Sequence, residues 1–277
     1  MSFFTPFAFV KQEAATSFDA DAQAYINKVI AEGGTLSSAN QTAINNLYVS
    51  LKANSLYTEL AYMYPFMGGT PASHAVCGIN PNTAGYTLTW SAYLTNPASH
   101  TSAGINTTGG NGFGDMGVNT AVLHSSVNSV TLGAYISTAT TNDTGFVLAK
   151  VTDTVNAAQR YQMNIPYDYN NVYVGVGDAD FTGYNNSSAP VGRWYGSRTS
   201  STSLTLYKNG SSVATNTATN TGALSATPPQ FFSADSSTNN NSFTGVCGFI
   251  FAGNGFSGAQ VSTFDGILST YLTAIGR

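Results

Sequence analysis

The chain has 277 residues, 42% of them hydrophobic and only 8% charged, so it can bury a substantial core while wetting its surface with Asn, Ser, Thr and Gly in place of ions. Nine basic residues and a net charge of −4 give no positive field of the kind that grips a nucleic-acid backbone, which excludes that partner class. No apolar run approaches the ~20 residues of a membrane-spanning helix, and the opening MSFFTPFAFVKQEA lacks the basic start and long apolar centre of a secretion signal.

In chain order, residues 1–18 come first, with Phe3, Phe4, Phe7 and Phe9 set around Pro6. The segment is too short for a core helix and too apolar for an idle tail, which predicts an extended arm that docks into a partner subunit or folds back on its own helices. A helical leader is expected over 19–67. Ala22, Tyr25, Ile26, Val29 and Ile30 share one face, and Gly33-Gly34 stops that helix. Ser38 with Gln41 reads as a capping box for a second helix, whose stripe is Ile44, Leu47, Tyr48 and Leu51. Ser55 is expected to cap a short third helix carrying Leu56, Tyr57, Leu60 and Tyr64, ended by Pro65.

From about Gly68 the apolar period becomes two, as in YTLTWSAYL (86–94) and VTLGAYI (130–136), with further runs at 145–151, 160–165, 172–177, 193–199, 203–208, 212–218, 229–233 and 243–252. Turn-rich stretches such as NTTGGNGFGD and GYNNSSAPVG separate them. Within LYKNGSSVA, Asn209-Gly210 is the preferred pair for a two-residue type I′ turn, because both positions need positive φ. So many short strands without intervening helices predict a mainly β chain, an antiparallel two-sheet sandwich of jelly-roll type over 68–261. Helical spacing returns in 262–277, with Ser262 and Asp265 as the expected cap, and this last helix should pack on the leader or the sandwich. Cys77 and Cys247 fit no zinc spacing and read as buried thiols in preference to a bridge.

The stretch 19–69, above all AIN.L...LK at Ala43–Lys52 and YPF.GG at Tyr64–Gly69, resembles the helical leader before concanavalin A-like (LamG-type) sandwiches in structural proteins of tailed-bacteriophage virions. YGSRTSSTSLTLYKNGSSVATNTA (195–218) is similar to a strand pair of those sandwiches, and LSTYLTAIGR to their closing helix. The resemblance implies a virion protein that contacts other capsid, fibre or tail subunits, sits in the particle in several copies and displays a lectin-like sandwich.

Catalysis finds little support in the residues. The glutamates are Glu13, Glu32 and Glu59, all ahead of the sandwich, whereas a glycosidase needs two carboxyl groups flanking the scissile bond. Asp178 and Asp180 in GDAD would stand about 7 Å apart on one side of an extended segment. They suit a turn cap or a calcium ion, with YNNSS adding carbonyls, better than chemistry. His74, His100 and His124 each stand alone in sequence, and no Gly-x-Ser-x-Gly elbow occurs. A sugar needs a ring to stack on and polar groups to fix its hydroxyls; Asp178, Asp180, Tyr184, Asn185, Asn186, Trp194 and Tyr195 supply both types, although alternation puts one of Trp194 and Tyr195 into the core. The expectation is a non-enzymatic virion protein without a cofactor, anchored by its N-terminus. A host-attachment adhesin that binds carbohydrate is the alternative, and a glycosidase comes third.

Overall fold

The computed structural model describes residues 17–92, 99–107, 112–139, 146–150, 159–167, 171–178, 182–185, 190–232 and 243–277; the arm with Phe3, Phe4, Pro6, Phe7 and Phe9 lies outside them. In chain order the elements are α1 (Ala20–Ala31), α2 (Ser38–Ala53), β1 (Leu60–Tyr64), α3 (Pro71–His74), β2 (Thr89–Ala92), β3 (Ser99–Thr101), β4 (Gly104–Asn106), β5 (Gly112–Asp115) and α4 (Thr120–Leu123). There follow β6 (Val130–Ala139), β7 (Phe146–Lys150), β8 (Arg160–Tyr167), β9 (Asn171–Gly177), β10 (Thr182–Asn185), β11 (Gly192–Ser200), β12 (Ser203–Lys208), β13 (Ser211–Asn216), β14 (Gln230–Phe231), β15 (Gly245–Gly253) and α5 (Gly258–Ala274).

These strands form two antiparallel sheets, which makes the chain a mainly β sandwich with a few helices. Sheet A runs β13-β12-β11-β6-β15-β4-β3, with β1 also paired to β15, and sheet B runs β10-β9-β8-β7-β14-β5-β2. Alternation decides what each strand sends inward. Val172, Val174 and Val176 of β9 and Tyr161, Met163 and Ile165 of β8 are buried from sheet B, and Val130, Leu132, Ala134 and Ile136 of β6 from sheet A. Tyr62 and Tyr64 of β1 meet Phe231 of β14 edge to face at ring separations of 5.8 and 5.5 Å, joining the sheets.

A third layer of helices covers the outer face of sheet A. Phe264 of α5 stacks on Phe251 of β15 with ring centres 4.3 Å apart, and Tyr271 meets Phe249. The other side of α5 packs on α2, and α2 on α1. Lys52 ties the two leader helices together by reaching Asp19 and Asp21 at 2.7 and 2.6 Å. Gly33, at φ +76, ends α1 in a Schellman arrangement: Gly34 N–H donates to Val29 O and Gly33 N–H to Ile30 O.

Several sequence expectations need correction. The third leader helix is a single 3-10 turn over Tyr57–Glu59 followed by strand β1, so the leader segment contributes to sheet A and the sandwich reaches back before residue 68. Leu60 and Tyr64 satisfied a helical spacing, but pairing with β15 decides their conformation. Helix caps shift too: Ser37, not Ser38, caps α2, and α5 starts at Ser257, whose capping box with Gln260 replaces the expected one at Ser262. Short strands β3, β4, β5 and β10 run through or beside stretches read as turns. The hairpin between β12 and β13 is as expected, with Asn209 at φ 49 and Gly210 at φ 77. Cys77 and Cys247 are buried free thiols, and burial pushes the Cys77 thiol up to about 12.

Candidate functional site

Trp194 and Tyr195, neighbours on β11, are both fully buried, one on each side of sheet A. Trp194 turns into the sandwich, donating its indole N–H to Pro190 O at 2.9 Å, with Tyr184 at 6.2 Å and Lys208 Nζ 5.0 Å from its ring. Tyr195 turns outward under α5, where its hydroxyl donates to Asp265 Oδ1 at 2.8 Å. Neither ring is open to a sugar, which corrects the sequence reading. Sheet A is covered on both faces, so alternation moved one ring into one core and the other into a second.

Asp178 is a loop cap. Its Oδ2 accepts from the backbone N–H and the hydroxyl of Thr221 at 2.6 and 3.2 Å, and Asp178 N–H donates to Asn220 Oδ1. Asp180 and Asn186 lie outside the described residues, as does the side chain of Asn185, so the calcium expectation finds only one of its two carboxylates placed. Among the described residues no group of three or more His, Cys, Asp or Glu could hold a metal ion. The histidines are not isolated. His74 and His100 face each other with their Nδ1 atoms 3.0 Å apart, and His124 Nε2 lies 2.9 Å from the Tyr161 hydroxyl.

The outer face of sheet B brings together polar groups in a way the sequence reading missed. α1, α2 and α5 all belong to the layer on sheet A, so this face is not where the long helices pack. Register sets a row across the strands: Thr89 of β2 opposite Asp115 of β5, Asp115 opposite Gln230 of β14, and Gln230 joined through Ala149 of β7 to Gln162 of β8 and Gly175 of β9. An adjacent row holds Asn164, Tyr173 and Gly183. Gly183 has no side chain, and a Cβ there would strike the Tyr173 ring; the half-exposed ring lies over its neighbour strand as a flat apolar surface. The stem of Arg160 lies beside Gly175, 3.5 Å from where its Cβ would be.

Gln162, Asn164 and Gln230 are 2%, 1% and 6% exposed, yet among the described residues Gln162 Oε1, Asn164 Oδ1 and Gln230 Oε1 meet no donor. Buried amide carbonyls are normally paired, and each left unpaired costs about 1–3 kcal/mol. Closed off as they stand, these carbonyls lie in rows beside an aromatic ring and would have to turn outward to meet an external donor. Among the described residues Asp115 is the carboxylate in this row, and Glu32 and Glu59 are engaged elsewhere, with Lys28 at 2.7 Å and with Asn254 Nδ2 at 2.9 Å.

No family profile matches the chain, and no curated protein does. Solved structures share its fold. Domain 4 of AbnA, a GH43 extracellular arabinanase from Geobacillus stearothermophilus determined in complex with arabinotriose, superposes with a TM-score of 0.52 at 14% identity, covering 75% of this chain and 98% of that domain. Looser likenesses, on which no argument rests, are a botulinum neurotoxin serotype D binding domain (TM-score 0.47, 10% identity, 77% of this chain and 52% of that one) and the Trypanosoma rangeli sialidase (0.44, 14%, 81% and 38%). The chain thus spans about half or less of these two. What the chain shares with the AbnA domain is the fold, an antiparallel β-sandwich of jelly-roll type.

Proposed function

We propose that the protein binds carbohydrate through the outer face of sheet B and does not hydrolyse it. The observation that carries this reading is the unpaired carbonyl set of Gln162, Asn164 and Gln230 beside the Tyr173 ring. Sugar hydroxyls would donate to these carbonyls once the Gln162, Asn164 and Gln230 side chains turn outward from their buried positions, while the C–H face of the sugar rests on the ring. The likeness in fold to a domain solved with arabinotriose bound supports the same reading. Among the described residues Asp115 is the one carboxylate in these rows, and glycoside cleavage needs two that flank the bond.

A glycan array probed with the full chain tests the proposal. Binding to at least one glycan, lost in Tyr173→Ala and in Gln162→Leu, is the expected result, and signal at background across the array would overturn it.

The setting we propose is the surface of a tailed-phage particle, with residues 1–18 as the anchor, neighbouring virion subunits as partners and a host-surface glycan as the ligand. Its support is the sequence resemblance of 19–69 and 195–218. Co-sedimentation of the full chain with virions stripped of it, against a form lacking Met1–Gln12, checks the setting. Rebinding of the full chain alone is expected, and failure of both forms to rebind would remove the virion from the account.

A further inference from the structure

On the far side of the molecule, where α5 ends over sheet A, lies a cleft of about 310 Å³. Its principal walls are Asn40 in the first turn of α2, Met67, Ser102, Tyr135 and Ser137 of β6, and Arg277. The Tyr135 ring lies against Gly248 of β15, where a Cβ would come within 2.8 Å of it. The glycine lets the ring sit flat on the sheet, and the half-exposed ring remains available to the cleft.

Arg277 gives this cleft an unusual wall. Its Nε donates to Ser102 O at 3.0 Å, Nη1 to Pro65 O and Gly248 O at 3.1 and 2.8 Å, and Nη2 to Phe66 O and Ser102 O at 2.8 and 2.7 Å. Every guanidinium N–H is therefore occupied by backbone carbonyls, and none remains to fork onto a carboxylate or phosphate. Among the described residues no acidic side chain lines the cleft either. The polar side chains that the cleft leaves open to solvent include neutral ones: the Asn40 carboxamide, the Ser102 hydroxyl and the Tyr135 phenol.

A flat ring face, a ring of neutral donors and acceptors, and a rigid wall with no free ionic donor together define an uncharged polyol with one apolar face. We propose that the Tyr135 cleft is a second saccharide site, taking one or two uncharged sugar rings. Its volume falls at the lower end of the ~300–1,000 Å³ range of small-molecule pockets, too small for a long oligosaccharide to be enclosed. Because it faces away from sheet B, the protein would hold two glycan chains at once, and the gain would be avidity on a surface that presents many copies. This inference does not depend on the sheet B site: the two share no residue.

Saturation-transfer NMR on the full chain tests it, with arabinotriose, maltotriose, cellotriose and lactose as neutral probes and sialyllactose as the anionic one. Tyr135→Ala and, as a milder change on an exposed helix turn, Asn40→Ala should each lower the transfer to a neutral probe at least about fivefold, a loss that Tyr173→Ala does not reproduce. Unchanged transfer in both cleft variants would overturn the proposal, as would an absence of transfer to every neutral probe in the unaltered chain. Stronger cleft-dependent binding of sialyllactose than of lactose would overturn the uncharged class. Loss in Tyr173→Ala alone would leave sheet B as the binding face and remove the cleft.

Discussion

Arg193 on β11 and Asp265 on α5 grip each other in a two-pronged contact, Nε to Oδ1 at 2.7 Å and Nη2 to Oδ2 at 3.0 Å. The Tyr195 hydroxyl shares Oδ1, and the backbone of Arg193 is held from the other side by Asn209 of the β12–β13 hairpin. One carboxylate thus fastens the last helix, a central strand and a turn. Asp265→Ala leaves a guanidinium and a phenol without their acceptor, and we expect a loss of about 2–4 kcal/mol. A lowered urea midpoint would show it; a midpoint equal to that of the unaltered chain would mean that Phe251 and Phe264 hold α5 unaided.

Acid should weaken the fold through the histidines. Burial, with His100 and Arg277 adding to it, holds His74 down at about 2, and burial alone holds His100 and His124 at about 4, against an ordinary 6.5. Gly69 N–H donates to His74 Nε2, so the neutral ring carries its proton on Nδ1 and directs it to His100. Between pH 6.5 and about 4 the unfolded chain takes up protons that the folded one refuses. Stability is therefore complete above that window and falls as the pH drops through it, by up to about 1.4 kcal/mol per pH unit for the well-buried His74 and His124 and by less for the partly exposed His100. Urea midpoints measured from pH 7.5 down to 4 should decline with this sign, and His124→Phe should flatten the slope.

Gly196 of β11 points at sheet B, where a Cβ would run into the Val174 side chain. Gly196→Ala should cost about 1–3 kcal/mol by wedging the sheets apart. Adding Val174→Ala should recover part of that loss, and a double-mutant cycle of urea midpoints reads the coupling.

Gln162 should trade stability against binding. Gln162→Met keeps the volume and removes a buried carbonyl that has no donor, so the thermal midpoint should stay level or rise. Glycan binding should fall by at least about tenfold, the loss of one good hydrogen bond to a buried acceptor. A variant that binds normally would place the ligand elsewhere.

Much of the sandwich is legible in the chain because its inner faces alternate strictly, as NVYVGVG and RYQMNIPY show. The same alternation marks Arg160, Gln162, Asn164 and Tyr173 as outward-facing. The aromatic content of RWYGSR is the stronger signal for a sugar site, and it points to rings that the fold buries. Periodicity there cannot tell an exposed face from one covered by a distant helix, since the cover over Tyr195 comes from α5, some seventy residues later. Strand β1 was illegible for a related reason: LAYMY fits either period, and its partner β15 is remote in sequence. The cleft at Tyr135 has no local signature, because α2, β6 and the last residue meet there only in three dimensions.

Strand β1 pairs with β15 from Leu60 opposite Gly253 to Tyr64 opposite Ile250, with a bulge between Leu60 and Tyr62. During synthesis the ribosome must add about 190 residues after β1 before its partner exists. Until then α1 and α2 have no α5 to rest on, and Tyr62 and Tyr64 have no finished sheet to join. Sheet A is completed late, which predisposes the molecule to slow folding and makes its incomplete chains ready substrates for chaperones.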